Sequence, residues 1–298
     1  MVFSLGQIMG GLIAPAIGVA LLATIGWKFF RDARWLFGPL LAAAFCAAYL
    51  AVEVHIGWPP TANVTYLLFY FTLVAGALTL IDSLAKPPLW LRVIVLVLLW
   101  RIAAGLIILR LIPSSISPAA AELWIDFSTL SAIAWFLVFE HLSQRASGIT
   151  VPLFLTILCV SCAVFLALGL HIQSSGVLAG DLALVCICAI VLSLFVRRTE
   201  FSRGFAQMVI FILQLLLLHG YFYTDDNLSA PQQIRAGLLL AAPLLCLLGD
   251  IPAIRNHPSA LLRLAIRLLP AIIVLTAISA LTARDFLHAE QAAAMEED

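Results

Sequence analysis

A guanidinium set in the middle of a hydrophobic run is the residue of this chain best placed to do chemistry. Arg101 interrupts an apolar stretch from Pro88 to Ile112, with Val93-Ile94-Val95-Leu96-Val97-Leu98-Leu99-Trp100 before it and Ile102 to Leu109 after it. Roughly 20 apolar residues cross the ~30 Å hydrocarbon core of a bilayer, so the stretch reads as a membrane-spanning helix with a charge near its centre. Such a charge costs about 2.5–3.5 kcal/mol on insertion scales, and a partner or water must offset it. Carboxylates on neighbouring spans are the available partners. At about 1.5 Å of rise per residue, Arg101 lies about 17 Å from the Ile112 end of its span, and Asp126 lies about 10 Å into the span that follows. A long arginine side chain climbs much of that difference, which makes Arg101 with Asp126 the preferred ion pair.

Other polar groups fall at comparable depth. Glu53 sits near the end of one span and Asp181 lies within another, as do His55, His171 and His219, with Gln214 deeper. Together they suggest an outward-opening polar cavity with Arg101 at its floor and Glu53, Asp126 and Asp181 on its walls. Gln214 and His219 are further candidates for substrate binding. Such a cavity suits a small anionic or zwitterionic solute, or a proton relay through the carboxylates. The competing reading is a packed Arg101–Asp126 pair that fixes helix register without any ligand. Asp82, four residues before Lys86, and Glu140, five before Arg145, read as interfacial ion pairs of modest worth.

Several chemistries lack their motifs. There is no Walker A sequence, no Gly-x-Ser-x-Gly elbow and no His-Glu-x-x-His. No short-range histidine pair supports a metal site, and the sequence assigns no catalytic residue, metal or cofactor. The six cysteines (Cys46, Cys159, Cys162, Cys186, Cys188 and Cys246) all fall inside apolar runs. Cys159-x-x-Cys162 has no second pair to complete a metal site, so these thiols read as small buried hydrophobes.

The elements that must position these groups follow from composition. Hydrophobic residues make up 63% of the chain, charged residues only 11%, and the mean hydropathy is +1.11. A soluble domain carries about 25% charged residues, so this surface faces lipid. Net charge is zero, with no basic patch for nucleic acid. Met1 to Gln7 has no basic residue, so no cleavable signal peptide is expected.

Hydrophobic runs predict an all-α bundle of ten membrane helices at roughly 6–26, 36–56, 64–82, 89–112, 119–140, 150–171, 175–196, 204–223, 233–250 and 260–282. They form one membrane domain over 1–287, followed by a short acidic tail over 288–298 that reads as mobile or as a short helix. Twelve Lys and Arg fall on or beside the odd-numbered loops, whereas only Arg110, Arg235 and Arg284 fall on the other side. Basic loops stay in the cytoplasm, so both termini are predicted on the non-cytoplasmic side of a bacterial cytoplasmic membrane.

In the first span Gly6, Gly10, Ala14 and Gly18 put a small residue at every fourth position, a face suited to close helix packing. Pro39-Leu40 with Cys46 and Pro152-Leu153 with Cys159 share their spacing and hint at a parallel repeat of four helices, 36–140 against 150–250. The function expected is that of a small-solute transporter in the lipid bilayer. A non-catalytic subunit of a membrane complex and an integral-membrane enzyme are the alternatives.

Overall fold

The computed structural model describes residues 37–52, 64–109, 117–145, 150–195, 203–224, 228–251 and 259–296. Within them the chain is helical, with no strand. In lipid this is forced: backbone N–H and C=O groups find no water there and must bond within their own segment. The helices are α1 (Phe37–Val52), α2 (Val64–Ala85), α3 (Leu89–Ile108), α4 (Pro118–Arg145), α5 (Thr150–Val164), α6 (Gln173–Phe195), α7 (Arg203–Phe222), α8 (Ala230–Leu245) and α9 (Ala260–Glu296). Eight of these described helices are long and apolar enough to cross a membrane, and α1 is a shorter apolar helix. The last nine of the ten predicted spans each overlap one of them. The first span lies outside the described residues, and with it Gly6, Gly10, Ala14 and Gly18.

Local sequence explains how the helices begin and end. After α2, Lys86 takes a left-handed conformation at φ 47°, and Pro88 caps the start of α3. That Pro87-Pro88 corner folds α2 and α3 into an antiparallel hairpin. Helix α5 widens into a π-turn over Phe165–Gly169, and His171 at φ 57° ends it. Carbonyls left over at that end are satisfied from elsewhere: Gln232 Nε2 donates to Gly169 O at 2.6 Å and Thr224 Oγ1 to Leu170 O at 3.1 Å. Gln232 also completes a capping box with Ser229 at the start of α8, a Ser-x-x-Gln pattern legible in the sequence. Helix α9 continues to Glu296 instead of stopping near 282. The Ala-rich segment after His288 has high intrinsic helix propensity and extends a helix already nucleated by packing.

Helix α7 is the axis of the bundle. After Arg203 at its start it is apolar except for Gln207, Gln214, His219 and Tyr221, close to the pattern of a helix buried all round. It touches α1, α2, α3, α4, α5 and α6. Its apolar window is 83% buried, against 28–61% for the other seven spans. Most described side chains on α7 therefore face protein, whichever direction they take.

Close approach of α5 and α6 depends on Gly176. A Cβ there would stand 2.6 Å from Ala167 Cβ, 3.0 Å from Ala167 N and 3.1 Å from Ala163 O. Two of those neighbours are backbone atoms and cannot swing aside. Gly176→Ala is expected to cost about 1–3 kcal/mol through overpacking, read as an earlier thermal transition of the purified protein. An unchanged melting temperature would mean that the two helices part freely at this point.

Candidate functional site

Two cavities lie against α7. The larger, about 250 Å³, is a wedge between the two arms of the α2–α3 hairpin, closed behind by α4 and α7. Leu78, Val95, Leu96, Leu99 and Phe211 give it apolar walls. Its polar end holds Asp82, Arg92 and Gln207, and Gln214 lines it further along α7. The smaller, about 160 Å³, lies between α4, α7 and α8, lined by Trp100, Trp124, Ser131, Tyr221, Gln233 and Gly237 among others. Gln214 lines both. Its Nε2 donates to Ser131 Oγ at 3.4 Å, while the other end of the amide has no partner among the described residues. Beside it Trp100 is fully buried, donates Nε1–H to Ser128 Oγ at 3.3 Å and meets the Phe211 ring edge-on at 5.5 Å. Gln214–Ser131 and Trp100–Phe211 form the partition between the cavities.

The polar end of the larger cavity is a buried ion cluster. Arg92 places Nε 2.8 Å from Asp82 Oδ1 and Nη1 3.0 Å from Glu140 Oε1, with 8% of its side chain exposed. Its guanidinium lies 5.3 Å over the Phe136 ring, a cation–π contact. Glu140 is 5% exposed and also accepts from Gln144 Nε2 at 3.0 Å and Gln207 Nε2 at 3.2 Å. So Asp82, expected as an interfacial partner of Lys86, turns to Arg92, and Glu140 meets Arg92 as well; the side chain of Arg145, the partner expected for Glu140, lies outside the described residues. The reason is geometric. Asp82 and Arg92 stand equally far from Pro87, so the antiparallel hairpin sets them at one depth, whereas Lys86 is carried out to the exposed corner.

The residues singled out by sequence lie in several places. Arg101 meets Asp126, Nη1 to Oδ1 at 2.6 Å, and Glu122 stands 3.7 Å from Nη2. That group lies on the outside of α3 and α4, with the three side chains 48–63% exposed, and Arg101 lines neither of the two cavities. Asp181 is fully buried on α6, and neither carboxylate oxygen has a hydrogen-bond partner among the described residues. His219 is buried, its Nδ1 3.2 Å from Ser175 Oγ and its ring stacked on Tyr223 at 5.2 Å. The hydroxyl of Tyr223 in turn donates to Ile107 O at 3.0 Å. Glu53 and His55 lie outside the described residues. Of the described candidates, the structure thus brings only Gln214 to the two cavities.

Sequence reasoning passed over Arg92, Gln207 and Trp100. A signal for the glutamines was present: Gln207 and Gln214 are seven residues apart on a helix otherwise almost wholly apolar, which sets both amides on one face about 10 Å apart. Compared with known proteins, the chain matches no family model and no curated protein.

Proposed function

We propose that the chain is a small-solute transporter of the membrane whose solute route runs along α7, through the two cavities that meet at Gln214. The observation that carries this reading is the shared lining of the cavities by one amide on the most buried helix. Polar groups that face the interior of a membrane bundle mark solute and ion pathways, because packing alone gives no reason to place them there. The basic-loop bias assigns the Arg92 end of the larger cavity to the cytoplasm and the Tyr221 end of the smaller cavity to the opposite side. Two chambers separated by a thin partition of side chains suit alternating access, in which the partition shifts and each chamber opens in turn. On this reading Arg101, Asp126 and Glu122 flank the route, and Gln214 is the residue the solute meets.

A second reading, a non-catalytic subunit of a membrane complex, is favoured by one observation. Arg101, Glu122 and Asp126 are half-exposed on the outer face of two membrane helices, where a partner chain would cover them. Cysteine labelling separates the two readings. Gly237→Cys in the smaller cavity fits without displacement, since a Cβ there meets nothing within 4 Å, and Leu78→Cys marks the larger cavity. Vesicles of opposite orientation, treated with a membrane-impermeant maleimide, are expected to label the two sites from opposite faces, above the background of the parent protein. If both stay silent and another protein chain co-purifies, the route is lost and the subunit reading replaces it.

A further inference from the structure

Two acids are buried among the described residues, Glu140 and Asp181. Glu140 faces Arg92, whereas Asp181 is 0% exposed and its carboxylate oxygens have neither a hydrogen-bond partner nor a cation among the described residues. It stands eight residues past Gln173, about 12 Å into α6 at the helical rise. Helices α1, α5 with its π-turn, and α7 pack against α6. Over their described lengths α1, α5, the π-turn and α6 hold no Lys, no Arg and no second acid. Helix α7 has one such cation, Arg203, at its start. Its His219 meets Ser175 near the start of α6, so the two helices run antiparallel. Asp181 lies about 9 Å beyond that contact and Arg203 about 24 Å beyond it. The side chains on these elements that can titrate are Cys46 and Tyr49 on α1, Cys159 and Cys162 on α5, Cys186 and Cys188 on α6, and His219 and Tyr221 on α7. None is a fixed cation, and the His219 ring is already bonded to Ser175 and stacked on Tyr223.

A lone carboxylate shut away from water is too costly to leave charged, and something must neutralise it. A hard metal cation takes several oxygen ligands, whereas the titratable groups around Asp181 are mostly thiols. A proton needs only one carboxylate oxygen. From this we infer that Asp181 is a proton-binding site and that its proton drives the solute route proposed above. The inference names the coupling ion of the transporter and rests on that reading for its role, though the site itself can be tested alone. Uptake forms an O–H bond on the carboxyl. Release returns the proton to water and leaves a carboxylate, which the closed packing cannot hold. Release therefore needs an opening at α6 that admits water. Helix α7 packs on α6 and lines both cavities, which ties that opening to the partition at Gln214.

The full chain in lipid nanodiscs would be compared with Asp181→Asn by infrared difference spectroscopy at neutral pH. Wild type is expected to show the carbonyl stretch of a protonated carboxyl, shifted when the protein is prepared in D₂O and lost in Asp181→Asn. Should Asp181→Asn fail to fold, aspartate carrying a heavy-carbon carboxyl must shift the wild-type band, which a glutamate band would not follow. The coupling is read by maleimide labelling of Leu78→Cys and Gly237→Cys, each normalised to unfolded protein at the same pH. The ratio of the two is expected to change several-fold between mildly acid and mildly alkaline pH in the wild-type background. With Asp181→Asn, a fixed neutral side chain, it should stay constant. Absence of the band, or its survival in Asp181→Asn, overturns the inference. So does a carboxylate band that moves when sodium replaces choline, which would make sodium the bound cation. A band with a labelling ratio indifferent to pH overturns the coupling and leaves a neutral structural acid. The band with both cysteines silent removes the route and keeps the proton site.

Discussion

Replacing Arg92 with methionine is expected to destabilise the protein by about 3–5 kcal/mol, the range found when one partner of a buried ion pair is removed. The side chain is 8% exposed and balances Asp82 and Glu140, of which Glu140 is 5% exposed. Methionine has similar length and fills much of the same space, so lost packing contributes little. What remains is a buried Glu140 carboxylate and an Asp82 carboxylate that have both lost the guanidinium between them. Neutralising the acids in the same protein, by Arg92→Met with Glu140→Gln and Asp82→Asn, should recover much of the loss, because the whole cluster can be replaced far more cheaply than it can be broken. Arg101→Gln is the matched control. Its pair is about half-exposed on the outer face and does not hold the interior of the bundle together, so the expected cost is smaller than that of Arg92→Met. Thermal unfolding of the three variants beside the parent gives the order. If Arg101→Gln melts lower than Arg92→Met, the interior and the exterior of the bundle have been assigned the wrong way round.

The contrast between these two arginines shows what a membrane sequence makes legible. Hydropathy and length located the helices well, because a lipid environment leaves few alternatives to an apolar helix of fixed length. Depth was legible too: Arg101 and Asp126 were paired from helix rise alone, and the structure sets them 2.6 Å apart. Rotation about the helix axis was not. Helix α3 is apolar almost throughout, so its pattern has too little amphipathicity to say which face meets protein and which meets lipid. A charge on such a helix looks equally interior at either azimuth. Arg92, close to the end of its helix, resembled an ordinary interfacial residue, while Arg101 at mid-span drew attention. The facing of Asp82 and Arg92 across the Pro87-Pro88 corner was available from counting alone. Their burial was not, since it depends on α4 and α7 arriving from distant parts of the chain. Gln214 was found because a lone amide in an apolar helix is conspicuous. Trp100 was missed because a tryptophan in such a helix is ordinary.

Trp100 nonetheless carries the second large prediction. It is 1% exposed, directly precedes Arg101 and faces into the bundle, against Phe211 of α7. Its indole lines the smaller cavity, packed edge-on against Phe211, which lines the larger, and held by Ser128. Truncation to alanine removes a fully buried aromatic, a change that costs about 3–5 kcal/mol in packed cores. The lower part of that range is expected here, because the smaller cavity already borders the site and the new void opens toward Phe211 and the larger one instead of standing closed. Trp100→Phe keeps most of the ring and loses the bond to Ser128, so it should cost about 1 kcal/mol. The functional consequence separates the partition from plain core packing. With Trp100→Ala in place, Leu78→Cys and Gly237→Cys should both label from either face of the membrane, since the chambers have become continuous past Gln214. Trp100→Phe should preserve one-sided labelling. If Trp100→Ala lowers the melting temperature while labelling stays one-sided, Trp100 is a core residue only. The barrier would then rest on the Gln214–Ser131 contact, where Gln214→Ala becomes the variant that opens it.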